Sequence, residues 1–499
     1  MKVDPWPLHG RVGVERYTIA VRGMRSAAIL SGLTLALWGC APLPQQHPPA
    51  LSFDVPAAWS QADAPALGNS SSLAQWWLRL HDPLLAQLVG QALQSNNSVV
   101  GAQAALRQAR ALRDVAAAAL LPAVNGSASA QRGKSGDNSA VNSFQVGLDA
   151  SWELDVFGAN RSAVQAGDAA TRASAASLGD VQVSVAAEVA LDYIALRGAQ
   201  ARLAIAIDNL ASQQDTSQIT QWRLQAGLVS SLEAEQARTA TEQTGAQIPA
   251  LRTSIEQTLH ALAVLTGQPP AALSAVLAAA APVPQAADDL ALNIPAETLR
   301  KRPDVRAAEQ QVVAAMARVS QAQAQSLPDF RLSGALSANG LVLGALTHGG
   351  SVVSALVAGV SMPLFDGGAA QAQVRSQQAA VEQAHAGYQA AVLTALADVE
   401  DALVALRGDR ERLLHLQQAA QAAANAALYA RQSYTSGIID FQTVLQTQRT
   451  QLGAQDSEAS AQADLASDHV RLYKALGGGW QPTDSDTASV TTNAEQTQP

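Results

Sequence analysis

The chain has few of the residues that build disulfides, metal centres or bulky cores. Cysteine occurs once among 499 residues, at Cys40, and aromatic residues make up only 4%. A single cysteine excludes a disulfide within one chain, and the low aromatic content suits helices that approach one another closely. The net charge of −9 offers no basic surface for nucleic acid, so that class of function is excluded.

Motifs of catalysis and nucleotide binding are absent from the sequence. Its eight histidines are scattered, without an HExxH pair or another metal-ligand spacing. No GxSxG elbow or Walker-type phosphate loop occurs, and the GGGW and DGG clusters suit the ends of helices and strands. We therefore predict that the protein is not an enzyme and has no cofactor, so that energy and substrate choice come from partner proteins.

Long apolar runs are confined to the N-terminal region, so no later transmembrane helix is predicted. The run AAILSGLTLALWG follows Met24-Arg25 and ends at Cys40, which is typical of a signal peptide over 1–39, whether translation starts at Met1 or Met24. The setting of Cys40 resembles a bacterial lipobox and predicts covalent diacylglycerol and fatty acyl groups, with residues 40–75 as a lipid-anchored lead-in. Ala41 resembles the outer-membrane sorting signal. Cleavage elsewhere, with an incidental cysteine, is the alternative.

The sequence contains a copy of itself. Residues 187–203, AEVALDYIALRGAQARL, recur as 397–413, ADVEDALVALRGDRERL, a displacement of 210 positions (397 − 187). The same displacement pairs Gly158 with Gly368, so the register holds over most of each copy. Copies of this length are too long to be solenoid units, whose period is about 20–50 residues. The chain is therefore predicted to contain two similar structural halves.

The predicted organisation follows from this repeat. The two halves are joined by an Ala/Pro-rich link, and a tail without apolar periodicity, expected to be disordered, follows them. The predicted segments are the first structural repeat at 76–267, the inter-repeat link at 268–292, the second structural repeat at 293–480 and the tail at 481–499.

Each half contains one segment in which apolar residues alternate with polar or small ones. In residues 142–154 the apolar positions run from Phe144 to Leu154 at every second residue. This period of two predicts a strand, about as long as the 9–11 residues that cross a bilayer when tilted. We predict β-hairpins at about 122–154 and about 328–364. An ordinary half-buried strand in a soluble sheet is the alternative.

Each hairpin is followed by a long helical pattern. No proline occurs between Gly158 and Gln225, and apolar residues recur there at helical steps. The spacing predicts a helix over about 158–225, with its counterpart over about 369–434. A tight turn at a glycine, Gly227 or Gly437, ends each helix, and a second helix runs back.

Four strands cannot close a membrane barrel, because the smallest have about eight strands and open sheet edges are not tolerated in lipid. A trimer with twelve strands is therefore predicted. The chain resembles the TolC-like outer-membrane efflux factor family, in the lipoprotein branch of OprM and NodT type. The segments that carry the resemblance are WWLRLHDPLLAQLVGQALQSNN (76–97), ASWELDVFG (150–158), AGLVSSLEAEQART (226–239), LRKRPDVRAAE (299–309), MPLFDGG (362–368), ADVEDAL (397–403), YTSGIIDFQTVLQTQRT (434–450) and LYKALGGGW (472–480).

The resemblance implies an α+β membrane protein built from duplicated helix-hairpin-helix-helix protomers. Three protomers would form a 12-stranded outer-membrane β-barrel continuous with a long periplasmic α-helical barrel. It implies a passive channel of a tripartite efflux pump, with a periplasmic adaptor (membrane fusion) protein and an inner-membrane RND-type pump as partners. An outer-membrane duct of an ABC-type (type I) secretion system and a non-conducting envelope scaffold are the alternatives.

The resemblance also places a periplasmic gate at the two helix turns. Tyr434 matches the family's tyrosine, and Glu233 lies six residues past Gly227, where a family acid lies. In the second turn, where acids often line the constriction, the equivalent residues are uncharged, so a full anionic ring is not predicted. The expected gate residues are Gly227, Glu233, Tyr434, Gly437, Asp440, Thr443 and Gln446.

Overall fold

The computed structural model describes residues 51–60, 73–134, 136–137, 139–286 and 295–480. These residues fall into two compact units. We call the first the sheet unit; its described residues are Val115–Gln165 and Met316–Gln378. The remaining described residues form the helical unit. The predicted signal peptide, Cys40 and the tail at 481–499 lie outside the described residues.

The sheet unit contains four antiparallel strands in the order β1-β2-β3-β4. β1 pairs with β2 and β3 with β4, so the pairing of β2 with β3 joins the two halves of the chain. In this central pairing Leu148 lies opposite Leu336, and Trp152 opposite Leu332. The strands are β1 (Ala123–Gly133), β2 (Val141–Leu154), β3 (Asp329–Gly340) and β4 (Val352–Ser361).

Side chains two residues apart in a strand point to the same side of the sheet. Apolar residues occupy one of the two sides, so one face of the sheet is apolar. Leu148 and Leu336 lie on this face, and about half of each is exposed, at 53% and 49%. β4 differs from the other strands, since Leu356 and Val357 point to opposite faces and are both exposed. The sheet therefore displays apolar surface of the kind that partners or lipid cover.

Nine α-helices are described. None of them contains a stretch that is long and apolar enough to cross a membrane. They are α1 (Pro83–Ser95), α2 (Asn97–Ala118), α3 (Ala159–Gln225), α4 (Ser231–Leu265), α5 (Ser274–Leu277), α6 (Pro295–Lys301), α7 (Pro303–Gln325), α8 (Ala369–Thr435) and α9 (Phe441–Ala475).

The long helices of the two halves are equal in length. α3 and α8 each contain 67 residues, and α4 and α9 each contain 35. At about 1.5 Å per residue the longer helices measure about 100 Å. The main core of the helical unit draws on both halves, with Tyr193, Leu262 and Tyr473 almost fully buried and Trp76 stacked on Tyr473 at a ring-centroid distance of 5.4 Å.

The helical segment that precedes β1 is divided at Asn96 into α1 and α2. The helix breaks there because Asn96 adopts an extended backbone, with φ −67° and ψ 130°. Its side-chain amide donates to the carbonyl of Leu265 at 2.9 Å, and its Oδ1 accepts from the backbone N–H of Ser98. The side chain therefore caps the start of α2 and joins it to the end of α4, 169 residues away in the sequence.

A buried polar network fixes the start of α1 to α3. Asp82 caps α1 by accepting from the backbone N–H groups of Leu84 and Leu85, and its other oxygen accepts from the Tyr193 hydroxyl at 2.7 Å. Arg197 donates to the same hydroxyl at 3.0 Å. Burial, followed by the hydrogen bond to Asp82, raises the pKa of Tyr193 to about 12. The phenol therefore stays protonated and keeps donating to the cap.

The ends of α4 and of α3 both use a glycine with positive φ, but only one of them is crowded. Gly267 follows α4 with φ 72°, and Gly227 follows α3 with φ 69°. A Cβ at Gly267 would lie 2.6 Å from the carbonyl oxygen of Ser95, whereas a Cβ at Gly227 would meet nothing within 4 Å. Glycine is therefore required for two reasons at Gly267 and for one at Gly227.

We predict that Gly267→Ala lowers the free energy of unfolding more than Gly227→Ala does. Both substitutions force a side chain into the left-handed region, at about 1–2 kcal/mol, but only the first also displaces the Ser95 backbone. Thermal unfolding of the purified proteins measures the difference. Equal losses for the two variants would show that the contact with Ser95 adds nothing.

Candidate functional site: the turns at Gly227 and Gly437

Both turns have the same backbone geometry. At the first turn the N–H of Gly227 donates to the carbonyl of Leu224 at 2.9 Å, and the N–H of Leu228 donates to that of Arg223 at 2.8 Å. At the second turn Gly437 and Ile438 make the equivalent bonds, at 3.0 and 2.9 Å. These two hydrogen bonds to the last helical turn, together with a glycine in the left-handed region, form the Schellman motif.

In each turn an acid and a hydroxyl residue begin the following helix, but the two turns place them in opposite order. Ser230 caps α4, its hydroxyl oxygen lying 3.4 Å from the backbone N of Glu233, which donates to it. Asp440, at the equivalent position (230 + 210), caps α9 by accepting from the backbone N–H of Thr443 at 2.9 Å and from its hydroxyl at 2.6 Å. In the first turn the acid is the third helical residue, and in the second it is the cap itself.

The exchange keeps one carboxylate at each turn. The acid of the second turn lies three positions earlier in the repeat than Glu233 does, because Glu233 corresponds to Thr443. Hydrogen bonds from the hydroxyl and the backbone N–H of Thr443 lower the pKa of Asp440. Asp440 is therefore ionised at neutral pH and favourably placed at the positive end of the α9 dipole.

Tyr434 brings three helices together beside the turns. Its ring lies 5.5 Å from the ring of Phe441 on α9, and the Arg223 guanidinium of α3 lies 4.6 Å from its centroid. The side chain is buried, yet its hydroxyl has no hydrogen-bond partner among the described residues. The ring therefore makes the contacts of this residue, through apolar packing and a cation–π interaction.

An apolar cluster surrounds Tyr434 and includes residues of α4, α8 and α9, so both turns share one small core. No hydrogen bond joins Glu233 to Tyr434 within the described chain, and Gln446 is exposed on α9. The expected gate residues therefore do not form one contact network within the described chain. The cluster consists of Ala237, Ala240, Ala430, Tyr434, Phe441, Val444 and Leu445, with Ile439 packed against it.

Two polar contacts beside the turns were not identified from the sequence. Arg223 lies over Tyr434, and the side-chain amide of Gln448 donates to the Thr216 hydroxyl at 3.0 Å in a buried position between α9 and α3. The two residues of each pair are more than 200 positions apart in the sequence, so no local sequence pattern predicts the contact. Within the described residues, no group of three His, Cys, Asp or Glu side chains could hold a metal ion.

The comparison with known families decides the class of protein. The sequence profile described as "Outer membrane efflux protein" matches residues 88–268 and 294–478, and so covers both halves. The chain belongs to the outer membrane efflux protein family. The resemblance identified from the sequence is confirmed.

Relatives in this family match the chain over nearly its whole length. Nodulation protein T of Rhizobium leguminosarum bv. viciae is 31% identical over 449 residues, which cover 90% of this chain and 92% of that protein. The pyoverdine export outer membrane protein OpmQ of Pseudomonas aeruginosa is 32% identical over 473 residues, which cover 92% of this chain and 98% of that protein.

Solved structures of outer-membrane channels have the same fold. The channel OprN is 34% identical, with a TM-score of 0.81 over 89% of this chain and 100% of OprN. The open state of the channel MtrE from Neisseria gonorrhoeae is 27% identical, with a TM-score of 0.79 over 88% of this chain and 98% of MtrE. The fold of the chain is therefore that of the family's outer-membrane channels, and it is mostly helical.

We predict that Tyr434→Phe leaves the stability of the turn region almost unchanged, whereas Tyr434→Ala lowers it strongly. Phenylalanine keeps the ring contacts and removes a hydroxyl without a partner, while alanine empties a buried aromatic site at a cost of about 3–5 kcal/mol. Thermal unfolding measures both variants. The matched control is Tyr429→Ala, since Tyr429 on the same helix is 63% exposed. A loss for phenylalanine as large as for alanine would show that the hydroxyl carries the interaction.

Proposed function

We propose that the chain is the outer-membrane channel component of a tripartite efflux pump. It conducts substrates passively from an inner-membrane transporter and a periplasmic adaptor across the periplasm and the outer membrane. The observation that carries this proposal is the family match across both halves, together with the near-complete coverage of a relative named for export. Without catalytic motifs in the sequence, the chain is a duct and its partners supply energy.

The barrel is proposed to be completed by three protomers. β1 and β4 each pair on one side only in the described sheet, which leaves two strand edges that a neighbouring protomer can pair with. Three copies bring twelve strands (3 × 4). The exposed apolar face that contains Leu148 and Leu336 suits contact with lipid, and the equal helix lengths of the two halves suit a ring of six similar units.

The gate is proposed to lie at the turns described above. Gly227 and Gly437 set the turn geometry, and Tyr434 packs between Arg223 and Phe441. The carboxylates of Glu233 and Asp440 provide negative charge at two different levels, while Thr443 and Gln446 are uncharged. This assignment is supported by the one small apolar core that holds both turns. A conformational change at one turn would therefore alter the packing at the other.

The partners are proposed from the same family membership. They are two further copies of the chain, a periplasmic adaptor protein and an inner-membrane RND-type pump. Two alternatives remain, an outer-membrane duct for ABC-type secretion and a non-conducting scaffold. Cross-linking in cells followed by identification of the captured adaptor and pump separates the first alternative from the proposal, because the two kinds of pump are unrelated proteins.

We predict that the purified trimer conducts ions in planar bilayers and that Tyr434→Ala increases the conductance severalfold. Removing the ring loosens the core that holds both turns closed, whereas Tyr434→Phe should conduct as the unsubstituted protein does. Single-channel recording measures all three proteins. Trimers that insert but never conduct, even with the alanine substitution, would contradict the duct and favour the scaffold.

Attachment to the outer membrane is proposed to use acyl groups on Cys40. We predict that radiolabelled palmitate is incorporated into the protein in cells and that Cys40→Ser abolishes the label. Ala41→Asp is the matched control, because it keeps the thiol and is expected to change the destination of the labelled protein. An unlabelled parent protein would show that Cys40 is an incidental residue of a cleaved signal peptide.

A further inference from the structure

A cavity of about 380 Å³ lies in the helical unit, with a wall formed by residues of α3, α8 and α9 and of the chain around the start of α7. Ligand pockets measure about 300–1,000 Å³, and a water molecule occupies about 30 Å³ of the liquid. The cavity therefore has room for a small organic molecule. The charged residues that line it are Asp180, Arg302, Asp304, Asp398, Asp401, Asp468, Arg471 and Lys474.

The lining of this cavity carries more negative than positive charge. Five carboxylates and three cations leave an excess of two negative charges (5 − 3). One of the cations is fully engaged, since the Arg302 guanidinium donates to Asp304 at 2.7 Å and to Asp398 at 2.9 Å. The same guanidinium donates to the carbonyl of Ala475 at 3.0 Å. The excess charge therefore falls on the other carboxylates.

Asp468 is the buried acceptor that the cations of the cavity leave unsatisfied. The residue is 1% exposed and lines the cavity. Its Oδ1 accepts from the Arg471 guanidinium at 2.6 Å, but its Oδ2 has no hydrogen-bond partner among the described residues. A buried carboxylate oxygen without a donor is costly. Such an oxygen indicates a donor that the chain itself does not supply.

Two further carboxylates of the cavity are not fully compensated. Asp401 is exposed on α8, and no cation of the described chain forms an ion pair with it. Burial, followed by the charge of Asp304, raises the pKa of Asp180, although the nearby cations oppose the shift. The cations of the cavity therefore offset only part of the cost of holding a negative charge there.

The first half of the chain forms the corresponding helices without these charges. The residues that correspond to Asp401, Asp468, Arg471 and Lys474, each 210 positions earlier, are Leu191, Thr258, Ala261 and Val264. α4 nevertheless has the same length as α9. The helical architecture therefore does not require the charged cavity, which belongs to the second half alone.

The lining suits an organic cation better than a metal ion. Within the described part of the chain, no three His, Cys, Asp or Glu side chains converge as a metal site requires. The carboxylates Asp401 and Asp468 lie instead on different helices, and apolar residues such as Val183 and Ala402 complete the wall. An aliphatic chain with an ammonium group at each end matches such a wall, because each ammonium supplies three N–H donors and the methylene groups suit the apolar residues.

We propose that this cavity binds an aliphatic diamine or polyamine whose ammonium groups are held by Asp468 and Asp401. The bound molecule joins α8 to α9 in the second half of the chain. The site uses no residue of the two turns, so it does not depend on whether the chain conducts.

The test is isothermal titration calorimetry of the purified protein in detergent with 1,4-diaminobutane. We expect saturable binding at one site per chain. Butylamine, which has a single ammonium group, should bind at least about tenfold more weakly because one charged contact is lost, and the neutral 1,4-butanediol should not bind. The proposal is overturned if the diamine does not bind, or if the diamine and butylamine bind equally well.

Substitutions place the binding in the cavity. Asp468→Asn should weaken it by about thirtyfold, because the loss of one partner of a buried charge pair is expensive. Asp401→Asn should weaken it by about threefold, because exposed pairs are weaker. Asp401 is exposed, so this variant tests the site even where Asp468→Asn impairs folding.

The matched control is Asp464→Asn on α9, which removes a carboxylate that does not line the cavity. Its affinity for the diamine should equal that of the unsubstituted protein. The proposal is overturned if this control weakens binding as much as Asp468→Asn does. It is equally overturned if Mg²⁺ at the same concentration displaces the diamine, because the protein would then attract cations only through diffuse negative charge.

Discussion

The fold depends on one constraint, which is that a helix of 67 residues satisfies its own backbone but cannot bury its own side chains. α3 and α8 therefore need partners, and the 35-residue helices α4 and α9 are about half as long. A returning helix is possible only where the chain reverses in a few residues, which Gly227 and Gly437 achieve through a left-handed backbone. The long helices on either side of the turn have the same lengths in both halves. An insertion in one copy alone would therefore make the two helix pairs unequal.

This constraint acts on the backbone and leaves the side chains free to differ. Ser230 with Glu233 and Asp440 with Thr443 cap equivalent helices with the acid and the hydroxyl exchanged. Both arrangements satisfy N–H groups at the start of a helix, so either is sufficient for folding. The exchange matters for charge, because it moves the carboxylate by three residues between two turns that have the same backbone geometry.

Much of the architecture could be predicted because it is local and periodic. The alternation from Phe144 to Leu154 indicates β2, and the proline-free run after Gly158 indicates α3. The contact of the Asn96 side chain with the carbonyl of Leu265 could not be predicted, because the two residues are 169 positions apart. The same holds for the pairing of β2 with β3 and for Arg223 over Tyr434, since each joins segments that are far apart in the sequence.

The residues that prediction missed share a property with those that carry the proposed functions. Tyr193 and Arg223 both make buried or half-buried contacts between helices, and their counterparts in the other copy are Leu403 and Ser433. The glycines that end the long helices and the lengths of those helices, by contrast, are the same in both copies. A duplicated chain with identical polar contacts would have halves that respond alike to pH and to partners. The two halves therefore share one backbone plan but differ in the polar contacts that hold their helices together.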